Sequence, residues 1–210
     1  MLRTIDLTRR LTSRSLSYPG DRVGIDIKSV DAGAGVHVTH LAQLDMHLGT
    51  HMDAPLHFVP GGADIERLGV RFHPALVIRA RERALSPRVL PSASLAGCAV
   101  LFDTGWTAGP ESRAYFEDYA YLSPELAREL ASRGAALVGI DTPSVDPVDS
   151  ALECPSHRVL LGAGIPIVEG LSNLGVLPQG PGMFWFGAFP LRIEGADGSP
   201  VRAVAFVTPD

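Results

Sequence analysis

The stretch SPELARELASRGAALVGID, residues 123–141, decides the fold class. Ser123 is a good N-cap because its hydroxyl can accept a first-turn N–H, and Pro124 has the fixed φ that suits the first helical position. Gly134 can take the left-handed conformation that ends a helix. Leu126, Leu130 and Ala131 recur at helical spacing and mark one apolar face. Residues 136–141 then read as a buried strand. A helix feeding straight into a buried strand is the building unit of an α/β chain.

The same reading extends outward. Residues 75–80 and 98–102 are apolar runs of strand length, 4–7 is a short opening strand, and 165–169 is another short one. Residues 36–46 are apolar-rich and partly β-branched, and predict a strand leading into the histidines that follow. The tail, residues 183–189 and 201–207, is β-rich with glycine breaks. Residues 17–21 form a turn around Pro19-Gly20. The expectation is an α/β fold with a mixed β-sheet and a minority of helices. With 210 residues, no internal repeat and no low-complexity linker, residues 1–210 are expected to form a single domain.

Composition removes several function classes. Hydrophobic residues make up 46% of the chain, enough for a sizeable core, and the formal charge is −5. A phosphate backbone demands a basic face, so nucleic acid is not an expected partner. No stretch approaches the ~20 apolar residues of a membrane helix, and the first residues lack the apolar run of a signal peptide. Cys98 and Cys154 lie far apart and form no Cys-x-x-Cys pair, which excludes a disulfide scaffold or a cysteine knuckle. Two thiols in a reducing cytoplasm is the reading that follows.

Chemistry concentrates in residues 47–57, HLGTHMDAPLH. Three of the seven histidines, His47, His51 and His57, fall here with Asp53 between them. Imidazole and carboxylate are the usual ligands of catalytic zinc or manganese. Gly49 and Pro55 both oppose a helix interior. In an extended chain His47 and His51 would stand about 13 Å apart, too far to share an ion. The chain must therefore bend, and Gly49 is the residue able to do so. His51 and Asp53, about 7 Å apart at Cα, are close enough to converge. His37, His40 and His73 have no such company and read as structural or surface residues. The residues alone leave open whether His57 is a ligand or a base.

This segment resembles the hallmark of the cyclase family of metal-dependent hydrolases, His-x-Gly-Thr/Ala-His-x-Asp-x-Pro-x-His, a family that includes bacterial kynurenine formamidases and isatin hydrolases. The likeness continues in Asp6-Leu7-Thr8, in Tyr18-Pro19-Gly20-Asp21, in residues 139–146 (GIDTPSVD), and in His157 followed twelve residues later by Glu169. The resemblance implies the swivelling β/β/α type of fold. It also implies two divalent ions per chain, zinc first and manganese second. His47, His51 and Asp53 would hold one ion. Asp53 would bridge to another bound by His157, with Glu169 reaching the metals from the late strand. His57 is implied as the unligated acid–base.

The activity implied is hydrolysis of an amide C–N bond in a small molecule, foremost an arylformamidase of tryptophan catabolism acting on a kynurenine derivative. A cyclic amide such as isatin is the second substrate class, and a non-catalytic metal- or ligand-binding member the third reading. The resemblance also implies a homodimer or higher homo-oligomer. Tyr18 is expected to line the substrate pocket, at a position where the formamidases usually carry Trp. Trp106, in the divergent segment FDTGW (residues 102–106), is either a stacking wall for a flat substrate or an ordinary core or surface aromatic.

Overall fold

The computed structural model describes residues 3–20, 24–150, 153–180 and 184–207. Its strands are β1 (Arg3–Asp6), β2 (Ile25–Asp31), β3 (His37–Leu44), β4 (His51–Asp53), β5 (Phe72–Arg79), β6 (Ala84–Leu85), β7 (Ala99–Asp103), β8 (Tyr121–Leu122), β9 (Leu137–Ile140), β10 (Ile167–Glu169), β11 (Phe184–Pro190) and β12 (Gly198–Val207). The helices are α1 (Pro124–Ser132) and α2 (Pro155–Gly162).

Eight strands join in the order β1-β12-β11-β5-β7-β9-β10-β4. The start of β12 also pairs with β4, so the sheet closes into a barrel. Neighbours β5, β7, β9 and β10 run parallel, while β11, β12, β1 and β4 make the antiparallel pairings. The mixed sheet with few helices agrees with the expectation from sequence.

Alternation along the strands separates two apolar layers. Ala75, Val77, Ala99 and Leu101 point into the barrel with Ile5, Val168, Phe184 and Phe186. Leu76, Ile78, Val100 and Phe102 point outward under α1 and α2, against Leu126, Leu130, Leu160 and Leu161. Strand β7 is buried on both faces, which is why its sequence is a continuous apolar run. Helix α1 begins and ends as the sequence dictates. Ser123 Oγ accepts from Leu126 N at 3.2 Å, Pro124 opens the first turn, and Gly134 lies at φ +74°. Such a cap contributes about 1 kcal/mol. The inward face matters more, and Leu130→Ala would cost roughly 2–5 kcal/mol by opening a cavity.

Two departures from the sequence reading bear on the site. Strand β3 does form within residues 36–46, but it pairs with β2 in a separate hairpin and not with the barrel. Most of that hairpin is exposed, Leu41 and Val30 included. Helix α2, which carries His157, was not anticipated. It is only eight residues long, and Cys154 before it makes no side-chain cap and lies in the left-handed region at φ +35°. Of the turn at 17–21, Asp21 lies outside the described residues, as does Met183 of the tail.

Candidate metal centre

The bend near Gly49 is present. Gly49 lies at φ +66°, and Gly170 at φ +64° packs so closely that a Cβ on it would collide with the Gly49 carbonyl. Thr50 Oγ1 locks the crossing by donating to Gly170 O at 2.6 Å and accepting from Arg9 N at 2.8 Å. Arg9 also donates to the carbonyls of Gly170, Ala108 and Asp141. Beyond the bend, β4 runs antiparallel to β10 with His51 opposite Glu169. Opposed residues of paired strands share a face. His51, Asp53 and Glu169 therefore converge, and all three are buried.

Helix α2 delivers His157 from the other side. Asp146 accepts from the backbone N–H groups of Ser156 and His157, both at 2.9 Å, and so caps the helix. The same carboxylate accepts from His157 Nδ1 at 2.7 Å. His51 Nδ1 is likewise engaged, donating to Gly49 O at 3.2 Å. Both rings consequently present Nε2 to the centre. His51 Nε2 lies 3.4 Å from Asp53 Oδ1 and 3.4 Å from Glu169 Oε2. His157 Nε2 lies 3.2 Å from Glu169 Oε1 and 3.4 Å from Asp53 Oδ2. Asp53 Oδ2 is fully buried and has no hydrogen-bond partner among the described residues.

Neutral imidazole lone pairs facing carboxylate lone pairs repel, and burying carboxylates without compensation is costly. The centre needs cations. Without metal, protons would serve. Burial disfavours the charged His51, yet the Asp53 and Glu169 carboxylates override it and push the imidazole up to about 9. His157 is likewise raised, burial being outweighed by Glu169, Asp146 and Asp53. His47 reaches about 10, since its bonds to Asp197 and Asp53 overcome its burial. Asp53 is held well below the usual carboxylate range, burial being outweighed by His51, His157 and His47. A divalent ion satisfies the same demand, so the donor set fits a metal. His51, Asp53 and Glu169 bring one ligand atom each within 4.8 Å of one another, and so do His47, Asp53 and His57. Asp53 belongs to both groups.

His47 Nδ1 lies 2.8 Å from Asp53 Oδ1, and its Nε2 lies 3.1 Å from Asp197 Oδ2. His57 follows on a short 3₁₀ turn, Pro55–His57. Its ring stacks on His47 at 4.1 Å between centroids, and its Nδ1 donates to Asp197 Oδ2 at 2.7 Å. The structure thus gathers His47, His51, Asp53, His57, His157 and Glu169 in one place. His37 and His40 lie on the exposed hairpin, and His73 on β5 lines a separate groove.

A cavity of about 620 Å³ opens over this cluster. Tyr18 lines it, together with Phe58, Pro143, Val148 and Cys154. The Tyr18 hydroxyl pairs with Tyr119 Oη at 2.8 Å, and its ring meets Phe116 edge-on. Trp106 is not among the lining residues. It packs on Tyr119 at 6.3 Å, and its backbone N–H is held by Asp141. Sequence reasoning missed two carboxylates. Asp146 stood in a quoted motif without a role, and it lies too far ahead of Pro155, the first residue of α2, for any local pattern to mark it as that helix's cap. Asp197 gave no signal at all, since it sits in a loop 140 residues from its partner His57.

Comparisons with known proteins agree with the geometry. The Cyclase family model matches residues 5–147. A kynurenine formamidase from Salinibacter ruber is 34% identical over 220 residues, spanning 98% of each chain. Isatin hydrolase A from Ralstonia solanacearum superposes with a TM-score of 0.85 at 26% identity, covering 99% of this chain and 92% of that one. A predicted metal-dependent hydrolase from Bacillus stearothermophilus gives a TM-score of 0.75 at 25% identity over 98% of both chains.

Proposed function

Because this chain belongs to the cyclase family of metal-dependent hydrolases, we propose that it cleaves an aryl formamide, with N-formylkynurenine the first candidate substrate. It is a metal-dependent amide hydrolase. The observation that carries the site assignment is Asp53, buried, shared by two candidate ligand groups and keeping one carboxylate oxygen without a hydrogen-bond partner among the described residues. His47, His51, Asp53, His157 and Glu169 would hold two divalent ions, with Asp53 between them. Three imidazoles suit zinc best, and manganese second. Such ions supply Lewis-acid polarisation of the carbonyl and a water acidic enough to attack at neutral pH.

The chain's own residues do the rest. Phe58, Pro143 and Val148 offer apolar lining for the aryl ring, and Tyr18 lines the same pocket. His57, facing the same cavity, takes a proton from the attacking water at Nε2 and hands it to the departing nitrogen as the C–N bond breaks. Water is consumed, and formate and the free amine are released. Ring opening of a cyclic amide is the second reading, favoured by the likeness to isatin hydrolase and by Tyr18 standing where formamidases usually carry Trp.

The reading extends to a single domain over residues 1–210, working in the cytoplasm as a homodimer or higher homo-oligomer. The exposed hairpin of β2 and β3 supports self-association. A lone two-stranded hairpin is marginal in water, and this one displays Ile27, Val30, Val36 and Leu41. The deciding experiment measures metal content by elemental analysis and then turnover of N-formylkynurenine and isatin. Turnover of the formamide alone, lost on chelation and restored by zinc, is the expected result. Turnover of isatin alone moves the substrate to the cyclic class. Full metal content with neither activity points to a binding protein or a closed structural site.

A further inference from the structure

His57 reaches the cavity from a single 3₁₀ turn, which by itself leaves an imidazole free to rotate. Three contacts remove that freedom. The ring stacks on His47 at 4.1 Å, Phe58 meets it edge-on at 4.6 Å, and Nδ1 donates to Asp197 Oδ2 at 2.7 Å. Asp197 is itself fixed to the histidine segment, because its backbone carbonyl accepts from Ala54 N at 2.9 Å. The next residue, Gly198, begins β12 and sits in register with Asp53. The carboxylate is therefore built into the same corner of the barrel as the residues it serves, although it lies far outside the family-matched segment 5–147.

The geometry points to Asp197 as the positioning residue for the proton transfer. By accepting the Nδ1 proton it fixes the tautomer and direction of His57, leaving Nε2 as the nitrogen that exchanges a proton with the substrate. An imidazole in the other tautomer would present an N–H where a lone pair is required, and the loss of such an orienting carboxylate is severe in hydrolytic sites of unrelated design. This inference rests on His57 being the acid–base of the proposed function. The same Asp197 oxygen accepts from His47 Nε2 at the longer distance of 3.1 Å. A role confined to steadying that ligand is the competing account, since carboxylates behind metal-bound imidazoles tune metal affinity.

The test uses the zinc-loaded enzyme at saturating Zn²⁺, with whichever amide it turns over. It compares His57→Ala, Asp197→Ala, Asp197→Asn and the double variant His57→Ala/Asp197→Ala. We expect Asp197→Ala to keep its metal and to lose about 10²-fold in kcat, with KM changed less than about 2-fold. The double variant should be no slower than His57→Ala alone, because both changes remove one unit. Asp197 has a side chain 41% exposed, so added acetate should reach the vacated position and raise kcat of Asp197→Ala while leaving His57→Ala unmoved. Asp197→Asn, folded and metal-loaded, should remain slow because its amide can donate to Nδ1 and favour the wrong tautomer. Losses that multiply in the double variant, or an Asp197→Ala defect seen at limiting zinc that vanishes at saturating zinc, would overturn the assignment. Wild-type turnover by His57→Ala sinks the acid–base reading itself. An inactive His57→Ala beside a fully active Asp197→Ala sinks only the role of Asp197.

Discussion

His157 Nε2 and Asp53 Oδ2 stand 3.4 Å apart with no proton assigned between them when the imidazole is neutral. The Nδ1 proton of His157 is committed to Asp146 at 2.7 Å, and Asp53 Oδ2 has no other partner among the described residues. A pair of facing acceptors is stable only with a cation between or beside them. Under the proposed two-ion site, Asp53→Asn is therefore expected to abolish metal binding, because it removes the charge that the two candidate ligand groups share. Asp146→Asn can keep part of the helix cap but weakens the hold on His157. It should lower metal affinity by about 10–100-fold without eliminating binding. Titration of the stripped protein with zinc, read by calorimetry, separates the two. Equal loss in both variants would contradict a shared ligand backed by an orienting one.

Protons and metal compete for the same imidazoles, which makes the pH dependence of stability conditional on metal. In the metal-free protein His51 is raised from 6.5 to about 9 and His47 to about 10. Groups raised in the folded state contribute stability that is fully present below their unfolded pKa, near 6.5. That contribution is lost as pH climbs through 9 and 10. The chelated protein should thus melt lower at pH 10 than at pH 6.5, while zinc-loaded protein shows much less of this slope. At this size each 1 kcal/mol moves Tm by roughly 2–4 °C, so scanning calorimetry resolves the effect. A chelated protein more stable at pH 10 than at pH 6.5 would show that the buried carboxylates are not charged as described.

What the sequence made legible was local. The caps of α1, the bend at Gly49 and the parity of His51 and Asp53 are all settled within a few residues, and the structure reproduces them. His157 and Glu169 were found through motif likeness, since one sits on a helix with no capping signal and the other on a three-residue strand. Asp197 could not be read at all. Its role depends on barrel closure by β12 onto β4, a pairing between segments about 145 residues apart. The hairpin was half read, because β-propensity predicts a strand without saying which sheet it joins.

Tyr18 sets the shape of the cavity wall, and its hydroxyl is tied to Tyr119 Oη at 2.8 Å. Tyr18→Phe removes that bond but keeps the edge-on contact with Phe116. If the hydroxyl orients substrate, KM should rise by several fold, roughly the 0.5–1.5 kcal/mol of one ordinary hydrogen bond, while kcat holds. Tyr18→Trp should favour N-formylkynurenine over isatin in relative kcat/KM. Steady-state kinetics on both amides checks this. Unchanged KM in Tyr18→Phe together with unchanged preference in Tyr18→Trp would remove Tyr18 from the substrate site.

The hairpin of β2 and β3 pairs with no barrel strand, and Leu41, 56% exposed, lies on its face. An apolar side chain held in water on a marginal hairpin gains from burial against a second copy, about 25 cal/mol per Å² of apolar area covered. Leu41→Glu places a charge in that contact, and an unpaired buried charge is strongly disfavoured. The wild-type chain should sediment as a dimer or larger and the Leu41→Glu variant as a smaller species, with its circular dichroism and Tm otherwise close to wild type. Ile27→Glu, on the partner strand of the same hairpin, should act in the same direction. A wild-type monomer at micromolar concentration, or a variant whose assembly is unchanged, would show that this hairpin does not hold the copies together.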